Sequence, residues 1–131
     1  LAEGSPLIPA DRFQRAQMLQ WMFFEQYSHE PYIAVARFWM VFASKDQLRE
    51  KEHLIPEWHV KGNAALTVME GRLKTHDWFV GEAYSLADIA LYAYTHCAEE
   101  GGFDLNKYPA VSDWLSRVAA TQRFVPMGAS R

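Results

Sequence analysis

The chain has 131 residues, enough for one domain with a real core, and half of them are hydrophobic and 15% aromatic. A net charge of -3 and a pI near 5.9 leave no electrostatic footprint for nucleic acid. With 22% charged residues the composition is neither that of a disordered tail nor that of a membrane protein, and the single cysteine, Cys97, excludes an internal disulfide, which fits a reducing, cytoplasmic setting.

The chain opens Leu1-Ala2-Glu3-Gly4-Ser5-Pro6, without Met, which reads as a cut inside a longer protein. No charged-then-apolar leader is recognisable. Residues 1–8 read as a linker. Pro9 at a first helical position and Asp11 in the first turn predict the start of a first helix. Phe13, Ala16, Gln20, Phe23 and Tyr27 share one stripe of it, with Met18, Leu19 and Met22 off the stripe. Pro31 ends this helix or begins the next. The second helix, about 31–43, is apolar nearly all round, so it is expected to be central or to lie against something outside the chain. Lys45 to His53 is a mixed charge run and reads as a solvated helix start.

Pro56 kinks or restarts the helix, because it lacks an amide donor and clashes one turn back. Trp58, Ala65, Leu66, Met69 and Leu73 then share one face of a third helix reaching about Thr75. Gly62 on that face permits close packing. A fourth helix is expected from Ser85 to about Glu99, stopped by Gly101-Gly102, with Leu86, Ile89, Ala90, Ala93 and Cys97 as its inner stripe. Pro109 opens a fifth, carrying Val111, Trp114, Leu115 and Val118. With poor strand signals throughout, the fold class is all-α, a bundle of about five helices.

Ser85-Leu86-Ala87-Asp88 is a capping box: the Ser85 hydroxyl can accept from the Asp88 amide, and the Asp88 carboxylate can reach back to the Ser85 amide. Tyr84 and Ile89 are placed as a hydrophobic staple. Asp88 therefore reads as a structural carboxylate rather than a catalytic acid. The histidines (His29, His53, His59, His76, His96) show no zinc spacing, so no metal site is expected. Cys97 reads as an inert buried thiol, and Tyr92 with His96, one turn apart, as a structural polar pair.

The stretch Asp77-Trp78-Phe79-Val80-Gly81-Glu82-Ala83-Tyr84-Ser85-Leu86-Ala87-Asp88-Ile89-Ala90 resembles the signature of the glutathione transferase C-terminal domain. Tyr108-Pro109-Ala110-Val111-Ser112-Asp113-Trp114-Leu115 is similar to that family's last core helix. Leu1 to Pro9 resembles its interdomain linker, and Phe24-Glu25-Gln26-Tyr27-Ser28-His29-Glu30-Pro31 the first helix of several bacterial members. The resemblance makes residues 1–8 a linker remnant and 9–131 the helical domain. It implies that an N-terminal thioredoxin-like domain, with the glutathione site and the catalytic Ser, Tyr or Cys, lies outside this chain.

Further implications are glutathione as co-substrate of the longer protein, a hydrophobic small-molecule electrophile, a homodimer, and no membrane or nucleic-acid partner. The wall for the electrophile is expected at Phe23, Phe24, Tyr27, His29 and Tyr32. Aromatics suit such a wall because they offer apolar area with a polar tip. The alternative function is a non-catalytic assembly or protein-interaction module, since the same domain occurs fused to translation factors and aminoacyl-tRNA synthetases.

Overall fold

Asp11 accepts from the Gln14 amide at 2.8 Å and so caps the first helix, α1, which runs Arg12–Phe24. The computed structural model describes residues 4–127, and all numbering below refers to them. Asp11 is thus the cap rather than a first-turn residue, and Pro9 lies outside the helix. The chain then passes through one π-turn, Glu25–His29, straight into α2, Glu30–Val41. In that turn the Glu30 amide reaches back five residues to the Glu25 carbonyl. Pro31, which has no amide to donate, sits in the first turn of α2. The wide turn and the proline mark the same place.

Ser44 and Gln47 form a capping box that starts the exposed α3, Lys45–Lys51, as the charge run predicts. A 3-10 turn, Glu52–Leu54, leads to α4, Ile55–Leu73, with Pro56 in its first turn. The predicted face of α4 is the buried one: Trp58, Ala65, Leu66, Met69 and Leu73 are all in the core. Gly62 lies against Phe103. A methyl group there would stand 2.6 Å from the ring's Cζ, closer still to Cε1, and 3.2 Å from Ile33. Since Phe103 is itself buried, Gly62→Ala is expected to cost about 1–3 kcal/mol despite its better helix propensity, measured as a fall in urea midpoint at constant slope.

The loop after α4 places Phe79 between Trp21 and Trp114, with ring centroids 4.7 Å and 5.1 Å away. Helix α5 runs Leu86–Thr95, shorter than expected. A 3-10 turn, Ala98–Gly101, follows and ends on Gly102 at φ +83°, a left-handed conformation that glycine adopts without strain. Its core face is also not the predicted one. Ala87, Asp88, Leu91 and Thr95 are buried, whereas Ile89 is 40% exposed and Leu86, Ala90, Ala93 and Cys97 are half-buried. The buried face holds two polar side chains, both hydrogen-bonded inside the protein, so the apolar pattern points to its neighbour. Helix α6, Pro109–Ala119, buries Val111, Trp114 and Val118. Its start is capped from a distance, by Glu70 of α4 accepting from the Val111 amide at 3.0 Å.

Among the described residues there are no strands, and the architecture is all-α. No helix among them is long and apolar enough to cross a membrane.

The capping box at Ser85 is in place. Asp88 accepts from the Ser85 amide and hydroxyl, both at 2.9 Å. It also accepts from the Phe79 amide at 3.2 Å and the Trp114 indole at 3.0 Å. Burial pushes its pKa up, and these donors pull the other way. One carboxylate therefore starts α5, holds the loop before it and ties on α6. Tyr92 and His96 stack with ring centroids 5.0 Å apart.

Candidate functional site

The π-turn decides which aromatic side chains of the first two helices meet. It brings Phe24, Ser28 and Tyr32 to one side, facing Lys61, Ala65 and Val68 of α4 across a depression of about 270 Å³. The Lys61 ammonium lies 5.1 Å over the Tyr32 ring and is paired with Glu57 at 2.6 Å. Hydrogen bonds to Glu57 and to Tyr32 raise its pKa. The site is thus apolar at its base with a cation and a phenol at its lip.

The other residues expected in the wall are elsewhere. Phe23 on the outward face of α1 and Tyr27 in the π-turn are 71% and 84% exposed, in line with the equally bare Phe13. The stripe read from the sequence is real, but it faces away from this domain's core, which takes Met18 instead. His29 has no exposed surface at all and is a core residue in this structure, not part of a wall. Its Nε2 lies 2.8 Å from the Thr95 hydroxyl. That hydroxyl donates to the Leu91 carbonyl at 2.6 Å, so the His29 ring is the donor between them. Among the described residues its Nδ1 has no hydrogen-bond partner, and burial lowers its pKa from 6.5 to about 4.

A second depression, about 340 Å³, lies on the other side of α2 and includes none of the residues expected in the wall. Phe38, Trp39 and Phe42 line it together with Tyr94 of α5, and Glu30 and Arg37 add charge. Arg37 bridges to Glu100 at 2.6 Å and lies 5.1 Å over the Phe42 ring. The signal that could have found it is the second helix's lack of a wet face. One side of α2 enters the core with Ile33, Ala34 and Ala36. Another leaves Phe38 and Phe42 more than half exposed.

Both depressions can hold an apolar, flat molecule. Neither holds an activated nucleophile. The one thiol, Cys97, has its pKa raised by burial. No cluster of three metal-ligating side chains occurs among the described residues.

These features define an all-helical domain with aromatic-lined depressions along its first two helices. The family model of the glutathione S-transferase C-terminal domain matches residues 20–122, and the chain belongs to that family. A glutathione S-transferase from Pseudomonas fluorescens is 51% identical in sequence and superposes with a TM-score of 0.92, over 98% of this chain and 63% of that one. A possible glutathione S-transferase from Rhodopseudomonas palustris is 45% identical, with a TM-score of 0.93, over 99% and 58%. Among curated relatives, the disulfide-bond oxidoreductase YfcG of Escherichia coli is 29% identical over 116 residues, 80% of this chain and 47% of that protein. Glutathione S-transferase D7 of Drosophila melanogaster is 29% identical over 111 residues, 85% of this chain and 46% of that protein. The chain spans about half the length of these curated relatives.

Proposed function

We propose that this chain is the substrate-side helical domain of a glutathione transferase and is inactive alone. In this reading a preceding thioredoxin-like domain binds glutathione and stabilises its thiolate. The helical domain orients an apolar electrophile, whose carbon the sulfur attacks as the leaving group departs. The observation that carries the reading is the pair of aromatic-lined depressions flanking α2. A docking module needs an apolar patch but not two recesses. Phe24 and Tyr32 form the wall on one side of α2, and Phe38 and Tyr94 on the other. Phe23 and Tyr27 complete a wall only with a surface from beyond this chain.

Relatives named for a transferase and for an oxidoreductase share this helical part. That pair supports a reading in which the preceding domain, rather than the helical one, decides the reaction. Glutathione is the co-substrate in this reading, and the longer protein is a cytoplasmic homodimer acting on hydrophobic electrophiles.

The test is turnover by the protein encoded when the reading frame is followed upstream of Leu1. With glutathione and 1-chloro-2,4-dinitrobenzene it should form the thioether and release chloride. Tyr32→Ala and Phe38→Ala should raise KM by about 3–10-fold with a smaller effect on kcat, the pattern of lost substrate binding. An active protein in which neither substitution changes KM would remove both walls from the site. An upstream synthetase or translation-factor domain would instead favour the assembly-module reading.

A further inference from the structure

The two depressions flanking α2 differ in the charge they present. The larger is lined by a carboxylate and a guanidinium, Glu30 and Arg37, and Arg37 is already bridged to Glu100 at 2.6 Å. The smaller, about 270 Å³, is lined by one ammonium, that of Lys61, and by no carboxylate among the described residues. Phe24, Ala65 and Val68 give it apolar surface, while Ser28 and Tyr32 add two hydroxyl groups. An apolar cavity of about 150 Å³ already admits a benzene ring, so this one has room for a ring with a substituent.

Lys61 is held at the lip and keeps donors to spare. Its ammonium lies 5.1 Å over the Tyr32 ring, and hydrogen bonding to Glu57 and Tyr32 raises its pKa, so the group stays charged. Glu57, one turn earlier on α4, pairs with it at 2.6 Å, with side chains 55% and 46% exposed. An exposed pair of this kind is weak and readily exchanged. An ammonium also carries more donors than one carboxylate oxygen occupies. A neutral ring would fill the apolar part and leave those donors to water. A ring bearing an anionic group gives them an acceptor as well, and a cationic ligand meets like charge.

We propose, resting on the transferase reading above, that this depression selects flat electrophiles that carry a carboxylate, with Lys61 as the residue that sets this specificity. The carboxylate takes no part in the bond changes. The glutathione sulfur attacks the ring carbon that bears the halogen, the carbon–sulfur bond forms, the carbon–halogen bond breaks and halide leaves.

The experiment uses the longer protein and compares kcat/KM for 4-chloro-3-nitrobenzoate with that for its methyl ester, which has the same leaving group and no charge. Dividing each variant's acid-to-ester ratio by that of wild type removes the inherent difference in reactivity between the two. Lys61→Gln should lower the ratio by about 3–10-fold, mostly through KM for the acid, and Lys61→Arg should restore most of it. Glu57→Gln removes the competing carboxylate and should raise the ratio by about 2–5-fold. Lys107→Gln, which removes an exposed charge outside the recess, should leave it unchanged. A longer protein that turns over neither these two substrates nor 1-chloro-2,4-dinitrobenzene overturns the transferase reading and the selection with it. Turnover of 1-chloro-2,4-dinitrobenzene without turnover of the acid, or with a ratio that Lys61→Gln leaves at the wild-type value, keeps the transferase reading and overturns the selection alone.

Discussion

Asp88→Ala is expected to lower the unfolding free energy by about 3–5 kcal/mol, the largest effect of any single substitution considered for this domain. The carboxylate is fully buried and accepts from two backbone amides, one hydroxyl and one indole. The hydroxyl of Ser85 can turn to another acceptor. The amides of Phe79 and Ser85 and the Trp114 indole cannot, so each is left with a desolvation cost of about 1–3 kcal/mol that only water entering the site could reduce. The loss should read as a drop in melting temperature on the order of 10–15 °C. Asp88→Asn keeps one acceptor oxygen but turns an amide group toward donors, so it should fall between wild type and alanine. A loss under about 1 kcal/mol for Asp88→Ala would mean that the loop, α5 and α6 are not held through this carboxylate.

Acidification should destabilise the domain through His29. Its folded pKa is about 4, below the ordinary 6.5, because the neutral ring is buried between α2 and α5. The sign follows from linkage. Above pH 6.5 the ring is neutral in both states and its contribution is fully present. Between 6.5 and 4 the unfolded chain takes up a proton that the folded protein refuses, and stability declines. Below 4 both states are protonated and the loss stops growing. The span of about two and a half pH units corresponds to about 3 kcal/mol. His29→Gln can still donate to Thr95 but does not titrate, so the difference in stability between the two proteins should shrink as the pH falls from 7 to 4. A His29 resonance titrating near 6.5 in the folded protein would contradict this account.

The features legible in the sequence are those whose causes are local. The Ser85 capping box needs only residues three apart, and the start of α4 at Pro56 needs only the chemistry of proline. The buried face of α4 follows from five apolar residues at helical spacing. What stayed illegible depends on distant partners. On α5, Asp88 and Thr95 are polar and their partners Trp114 and His29 are distant in sequence, so the apolar residues mark the neighbouring face instead. On α1 and the π-turn after it, Phe13, Phe23 and Tyr27 are as apolar as a core stripe, and nothing within the chain distinguishes a face turned outward from one turned inward.

The candidate wall shows the same division. Phe24 and Tyr32 share a recess because the π-turn shifts the helix register, and a regular 3.6-residue repeat does not contain that shift. His29, two residues before Pro31, is close to them in sequence but fastens the turn to α5. Phe38, Trp39 and Phe42 are not legible as a lining because a helix apolar on all sides gives no phase to read.

In the proposed function this chain carries a substrate wall but no glutathione site. Titrating glutathione into the purified 131-residue chain, by calorimetry or by retention on immobilised glutathione, tests it most directly. The account predicts no saturable heat and no retention, while the longer protein under the same conditions binds and is eluted by free glutathione. Saturable binding of glutathione by the isolated chain would contradict it.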